Sequence, residues 1–287
     1  MAESRPFTVA LTGAAGCLGQ HLLRQAPAGW RVVAFWRKTP VAWPTARQVD
    51  LADAAATRAA FAELRPDLVL HTAAGMTDFA RDLVGAGANV AAAAAAVGAR
   101  LITCSTDCVF DGEHAPYAET AAPSPIFPYG VAKADLERLV AAAVPDATIA
   151  RLPLIVSLDP PSRSNAWVDD KLRAGQPVTL FVDELRCPAA AADLAAQLWE
   201  IAALPRAAAA GVWHLAGPEA LSRYSIGLLL ARAHGADPAL LRPALNRELK
   251  DRRPRDLRMS TARADAALRA RVRPLAEALC GPPPRTA

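Results

Sequence analysis

A turn built on three glycines constrains how this chain can begin to fold. The segment Thr12-Gly13-Ala14-Ala15-Gly16-Cys17-Leu18-Gly19 follows an apolar run, Phe7-Thr8-Val9-Ala10-Leu11, that reads as a buried strand, and it opens a helix. A strand turning through glycines into a helix N-terminus points backbone N–H groups and the positive end of the helix dipole at an anion. Small residues then let a pyrophosphate approach the main chain. Gly13, Ala15, Gly16, Cys17, Leu18 and Gly19 are the residues this reading puts beside it. The spacing is Gly-x-x-Gly-x-x-Gly, one residue longer than the commoner dinucleotide fingerprint. Glycines kept only for close strand-to-helix packing are the alternative reading.

The pattern that follows favours the dinucleotide. Strands are expected at 31–36, 67–71, 100–105 and 148–156, and helices at 54–64, 86–97 and 129–143. Short apolar runs separated by helices of this length imply a parallel sheet covered on both faces. The fold class expected is therefore α/β, a Rossmann-type doubly wound sheet whose ligands sit beyond the carboxyl ends of the strands. After Ser157 a breaker-rich link, Asp159-Pro160-Pro161-Ser162-Arg163-Ser164, introduces mixed segments: helices near 166–173, 190–203 and 224–234, strands near 178–182 and 212–215. The expected division is a nucleotide-binding domain over 1–156 and a smaller substrate lobe over 157–188 and 218–260. The segments near 189–217 and the C-terminal helix are expected to return to the first domain.

Bulk properties exclude some classes. With 287 residues the chain can bury a large core, and its net charge of +4 is spread along the sequence. That is not the clustered basic surface a nucleic acid needs. No apolar run is long enough to span a membrane. The opening residues run straight into the first strand, so no signal peptide is expected. Cys104 and Cys108 flank a strand end, where roughly 13 Å of extended chain would separate them, too far for a disulfide. Reduced thiols, a cytoplasmic location and no structural metal are the expectation.

Three further segments carry chemistry. The end of the second expected strand decides the cofactor, because a carboxylate there accepts a ribose 2′-hydroxyl. This chain offers Arg37 and Lys38, which suit a 2′-phosphate, so NADP is favoured and NAD is the alternative; an ordinary solvated basic turn is the bland reading. Asp50-Leu51 would hold the adenine edge, unless Asp50 caps the following helix. Tyr129-Gly130-Val131-Ala132-Lys133 puts a phenol and an ammonium on one helix face. An adjacent ammonium is expected to lower the phenol's pKa, fitting Tyr129 to hand a proton to a developing alkoxide during hydride transfer. Ser105-Thr106-Asp107 lies just past a strand's carboxyl end, where a hydroxyl can orient a substrate oxygen; a loop satisfying its own backbone is the alternative. No histidine is placed to activate a serine, so hydrolysis is not indicated.

Together these residues resemble the extended short-chain dehydrogenase/reductase superfamily, and within it the dTDP-4-dehydrorhamnose reductase family. The most specific match is Ser105-Thr106-Asp107-Cys108-Val109-Phe110-Asp111-Gly112, against that family's Ser-Thr-Asp-Tyr-Val-Phe-Asp-Gly. Tyr117-x-Glu119, Pro125, Tyr129-Gly130-x-x-Lys133, Val212-Trp213-His214-Leu215-Ala216-Gly217, Ser222-Arg223-Tyr224 and Arg253-Pro254-Arg255-Asp256-Leu257 follow at similar distances. The resemblance implies NAD(P)H-dependent reduction of a 4-keto group on a nucleotide-linked deoxysugar, with Thr106, Tyr129 and Lys133 catalytic. It implies that Lys133 also holds the nicotinamide ribose, that His71, Ala73 and Ala74 line the cofactor, and that Ser105 and Tyr129 lie beside it. Ser105, Asp107 and Val109 would meet the nucleotide-sugar, and a homodimer is compatible with the family. Arg186 and Arg253 would meet its diphosphate, with ordinary surface arginines as the alternative reading.

The departures cluster on the sugar side. Cys108 replaces a tyrosine. Leu152-Pro153-Leu154-Ile155 lacks the tryptophan usual after the arginine of the sixth strand. The family's Asp-Gln-x-Gly-x-Pro-Thr reads Asp183-Glu184-Leu185-Arg186-Cys187-Pro188-Ala189. Two other readings therefore stand beside the reductase: a non-catalytic NADP-binding regulatory subunit of a methionine adenosyltransferase, and a nucleotide-sugar epimerase, against which Arg37-Lys38 speaks.

Overall fold

The computed structural model describes residues 5–248 and 253–280. Residues 1–4, on which the N-terminal reading rests, and 249–252, within the expected segment 218–260, lie outside the described residues. In chain order the first elements are β1 (Thr8–Thr12), α1 (Cys17–Arg24), β2 (Arg31–Trp36), β3 (Ala46–Gln48), α2 (Ala54–Leu64), β4 (Leu68–His71), α3 (Ala86–Val97), β5 (Arg100–Thr106), α4 (Pro128–Ala143) and β6 (Thr148–Leu152). There follow β7 (Ile155–Val156), α5 (Arg163–Arg173), β8 (Val178–Phe181), β9 (Leu185–Arg186), β10 (Ala189–Ala190), α6 (Ala191–Ala203), α7 (Arg206–Ala209), β11 (Gly211–His214), β12 (Leu221–Ser222), α8 (Arg223–His234), β13 (Leu241–Ala244), α9 (Ala262–Ala267) and α10 (Leu275–Cys280).

Among the described residues, seven strands form the main sheet in the order β11-β6-β5-β4-β1-β2-β3. Every pairing in it is parallel. The order reverses between β1 and β4, the crevice where a doubly wound sheet takes its ligand. β1 and β4 are buried along their whole lengths, as apolar strands covered on both faces must be. One face packs Leu18, Leu22, Leu194, Leu198 and Trp199 from α1 and α6. The other packs Phe61, Val90, Leu136 and Val140 from α2, α3 and α4. Each such side chain, fully buried, contributes about 1.5–3 kcal/mol. Three two-stranded sheets, β10-β7, β12-β9 and β13-β8, lie outside the main one. A separate core of Val156, Val168, Leu172, Leu180, Ile226 and Leu230 joins α5 to α8 and β8. β11 joins the main sheet beside β6, whereas Leu275 of α10 belongs to the α5–α8 core. Among the described residues no helix is long and apolar enough to cross a membrane.

One local reading needs correction. The expected strand 148–156 is two strands: Pro153 has no N–H to donate, so β6 stops at Leu152 and β7 pairs with β10 instead. The helix expected from residue 86 is entered through a π-helical turn, Ala80–Gly85, which hydrophobic periodicity does not announce. Asp53, not Asp50, caps α2, accepting from Ala55 N at 2.9 Å and Ala56 N at 3.0 Å.

Two buried polar pairs generate predictions. Arg151 of β6 donates to Glu137 of α4 at 2.8 Å, with side chains only 3% and 7% exposed. Arg151→Met leaves a buried carboxylate unpaired and is expected to cost about 3–5 kcal/mol in urea denaturation, most of it recovered by adding Glu137→Leu. A single-variant loss below about 1 kcal/mol, typical of an exposed bridge, would contradict this. Thr12 Oγ1 and His71 Nδ1 meet at 2.7 Å across β1 and β4. Burial, reinforced by the nearby Lys133 cation, lowers the His71 pKa from 6.5 to about 3. The unfolded chain therefore takes up a proton that the folded chain refuses. The stability held above about pH 6.5 is lost progressively as pH falls toward about 3. Thermal unfolding at about pH 7 and about pH 4.5 is expected to show a shallower acid loss for His71→Gln than for the unaltered chain; an unchanged slope would overturn the assignment.

Candidate active site

A cleft of about 870 Å³ opens over the carboxyl ends of β1, β4 and β5. Its floor is the glycine turn, where Gly13, Ala15, Gly16, Cys17, Leu18 and Gly19 all line it. Gly13 has φ 72°, and a Cβ there would lie 2.6 Å from Ala73 N, so no other residue fits without displacing the β4 exit. Gly16 is the N-cap of α1 and makes no side-chain cap bond, and the first turn of α1 carries no acidic residue. An uncapped helix N-terminus facing an open cleft suits a pyrophosphate. Ser105 supplies a second indication. It lines the cleft, and its Oγ is buried without a partner. These features fit a dinucleotide. Ala73 and Ala74 line the wall. His71 does not: it is 2% exposed, outside the lining, and its ring is held on Thr12 within the sheet.

Thr106, Tyr129 and Lys133 converge in the cleft. A Cβ on Gly130 would lie 2.1 Å from the Cys108 carbonyl oxygen, so only glycine lets α4 come this close to the turn after β5. That approach brings Tyr129 and Thr106 into the lining of one cleft. Thr106 Oγ1 donates to Asp107 Oδ1 at 3.1 Å and accepts from Cys108 N at 3.2 Å. Phe79 and Phe127 flank the Tyr129 ring at centroid distances of 5.8 and 6.3 Å. Lys133, 4% exposed, donates to the Cys104 carbonyl at 2.8 Å, and burial holds its pKa below the usual lysine value. The expectation that Lys133 lowers the Tyr129 pKa is not met. Burial first, then Cys108 and Asp107, push the phenol upward. Tyr129 is thus held protonated, the state a proton donor needs.

At the far end of the cleft Arg37, Asp50 and Leu51 line the wall, while Lys38 is exposed and lies outside it. The chain turns after β2 so that only the first of the two cations faces inward. Arg37 meets Asp82 at 2.5 Å and Asp50 at 4.0 Å; Arg81 binds Asp50 at 2.6 Å and also contacts Asp82. Arg81 and Asp82 come from the π-helical turn, and nothing in the periodicity of 80–97 singled them out.

The opposite end departs further from expectation. Arg186 and Asp107 both line the cleft, but they bind each other at 3.1 Å. Arg186 also binds Glu184 at 3.1 Å and donates to Cys108 Sγ at 3.5 Å. Burial, with the Asp107 charge adding to it, pushes the Cys108 thiol up to about 12, which leaves it an inert small side chain. Val109 is a correction. It is fully buried against Phe110, Tyr117, Cys187 and Leu257, because the tight 3-10 turn Asp107–Val109 rotates it away from the cleft. Arg253 is exposed and also lies outside the lining; its neighbours Pro254 and Arg255 pack over Gly112 instead. The link after β7 was read only as a connection, yet Pro161, Ser162, Arg163 and Ser164 line the cleft. It is tied to α1 by Arg24 donating to the Asp159 carbonyl at 2.8 Å and by a 3.0 Å contact between His21 and Ser157. The Ser-Arg-Ser run was its only signal.

Known proteins resemble this chain in sequence and fold. The chain is 30% identical over 250 residues to the methionine adenosyltransferase 2 subunit beta of Rattus norvegicus, covering 82% of this chain and 74% of that one. It is 33% identical over 248 residues to a dTDP-4-keto-6-deoxy-D-glucose reductase of Streptomyces niveus, covering 81% of each. The fold matches a dTDP-4-dehydrorhamnose reductase of Bacillus anthracis solved in complex with NADP, with TM-score 0.79, 22% identity, and 96% and 97% of the two chains covered. The RmlD substrate binding domain family model matches residues 7–280. By that match, and by its glycine turn, its Tyr-x-x-x-Lys helix and its sheet order, the chain belongs to the RmlD family of extended short-chain dehydrogenase/reductases.

Proposed function

We propose that this protein is an NADPH-dependent reductase of a 4-keto group on a nucleotide-linked 6-deoxysugar, with NADH as the alternative cofactor. The observation that carries the reading is the meeting of Thr106, Tyr129 and Lys133 in the same cleft as the uncapped N-terminus of α1. The N–H groups of the glycine turn would hold the pyrophosphate, and Lys133 and Ser105 would hold the nicotinamide ribose. The bound nicotinamide supplies the hydride, two electrons, to the carbonyl carbon. Tyr129 gives its phenolic proton to the carbonyl oxygen as the C=O π bond breaks, so that an alcohol is the product. Thr106, which lines the same cleft, orients that oxygen.

The sugar half supports a substrate different from that of the family's reductases. A thiol stands at Cys108 where the family pattern has a phenol, and a guanidinium at Arg186 where it has a glycine. The two lie 3.5 Å apart, so one change opens space and the other fills it. The same departures, with the 30% identity to a methionine adenosyltransferase subunit, favour a second reading, in which the dinucleotide is bound without turnover.

The experiment follows NADPH oxidation with dTDP-, UDP- and GDP-linked 4-keto sugars. The reductase reading expects turnover with at least one of them, and a fall of about 10²–10⁴-fold in kcat for Tyr129→Phe with NADPH affinity retained. NADPH binding without turnover on any sugar supports the second reading. Turnover unaffected by Tyr129→Phe contradicts the assigned proton donor.

A further inference from the structure

The corner of the cleft holding Arg37 carries more charge than a 2′-phosphate site requires. The end of β2 is where a doubly wound fold reads the 2′ group of the adenosine ribose: a carboxylate accepts a hydroxyl, an arginine binds a phosphate. Here both chemistries occupy one place. Arg37 presents its guanidinium from the end of β2, and Asp82 takes its Nη1 at 2.5 Å. Asp50 stands 4.0 Å from the same nitrogen. With Arg81 bound to both carboxylates, two guanidinium groups face two carboxylates, and Arg37 is already engaged when a dianion arrives.

Asp82 is poorly able to step aside. Its backbone N–H donates to the Asp78 carbonyl at 2.8 Å, and its own carbonyl accepts from Gly75 N at 3.3 Å. A Cβ on Gly75 would lie 2.2 Å from the Asp82 Cβ, and the Asp82 side chain is only 9% exposed. The π-helical turn Ala80–Gly85 sets this position, a distortion found often at functional sites.

We propose that Asp82 is a specificity-determining residue: it occupies Arg37 in competition with a 2′-phosphate and offers its carboxylate to an unphosphorylated ribose, so that the cleft accepts NADPH and NADH with little discrimination. This rests on the dinucleotide reading above and adds which side chain sets the choice between the two forms. Arg37 alone would select NADPH. Asp82 cancels that selection by placing a fixed negative charge where the phosphate must lie.

Equilibrium titration of the full chain, followed by the fluorescence of the reduced nucleotide, tests this without turnover. The unaltered protein is expected to bind NADPH and NADH with dissociation constants within about ten-fold of each other. Asp82→Asn is expected to tighten NADPH about ten-fold while NADH weakens or stays the same, and Arg37→Ala to weaken NADPH selectively. Should Asp82→Asn not fold, as judged by circular dichroism, Asp50→Asn is expected to move the ratio in the same direction by a smaller factor. A ratio that is unchanged, or that shifts toward NADH, in the folded carboxamide variant overturns the proposal. An unaltered protein that binds neither nucleotide contradicts the dinucleotide reading itself, and the proposal falls with it.

Discussion

The close approach of α4 to the end of β5 is the constraint on which the site depends. Gly130 leaves no room for a side chain against the Cys108 carbonyl, so the helix lies directly on the turn that carries Thr106 and Asp107. Two polar contacts then hold it in register. Lys133 reaches the Cys104 carbonyl, and Glu137 is clamped by Arg151 one strand away. Leu136 and Val140 fill the apolar face below. A helix anchored at both polar and apolar faces presents its phenol at a fixed place, and catalytic proton transfer needs that geometry before it needs any tuning of acidity.

Charge in the cleft is arranged in compensated pairs at both ends. Arg37 and Arg81 balance Asp50 and Asp82 at one end, and Arg186 is held between Asp107 and Glu184 at the other. The middle, between the glycine turn and Tyr129, has an uncapped helix end and an unpartnered Ser105 hydroxyl. The regions that would meet the pyrophosphate and nicotinamide are thus open to new partners, whereas those that would meet the ribose 2′ position and the sugar already have internal ones. Ligand groups arriving at either end must exchange one ion pair for another, which makes those ends the natural places for selectivity to arise.

What could be read from the amino-acid sequence follows the same division. The glycine turn, the alternation of apolar runs with helices and the Tyr-x-x-x-Lys spacing are local signals, and the sheet order, the Gly13–Gly19 floor and the Thr106–Tyr129–Lys133 convergence follow from them. Side-chain direction at strand ends was harder to read. His71, Lys38 and Val109 each stand next to a residue that lines the cleft, but a one-residue rotation of the backbone turns them into the sheet, the solvent and a satellite core. Asp82 and Arg81 were invisible because a π-helical turn breaks the period that locates helical faces. Arg163 was overlooked because a proline-rich stretch reads as a connection whether or not it borders a ligand. The phenol's upward shift was also unreadable, since it depends on how deeply Tyr129 is buried and on Asp107, which lies far from it in sequence.

The central claim is spatial, and a crystal structure of the chain with NADP bound tests it most directly. The account predicts a pyrophosphate on the N–H groups of residues 15–18, Lys133 Nζ within about 3 Å of the nicotinamide ribose hydroxyls, and the Tyr129 hydroxyl on the same side as the nicotinamide ring. A dinucleotide seated elsewhere, or a ring turned away from Tyr129, would contradict it.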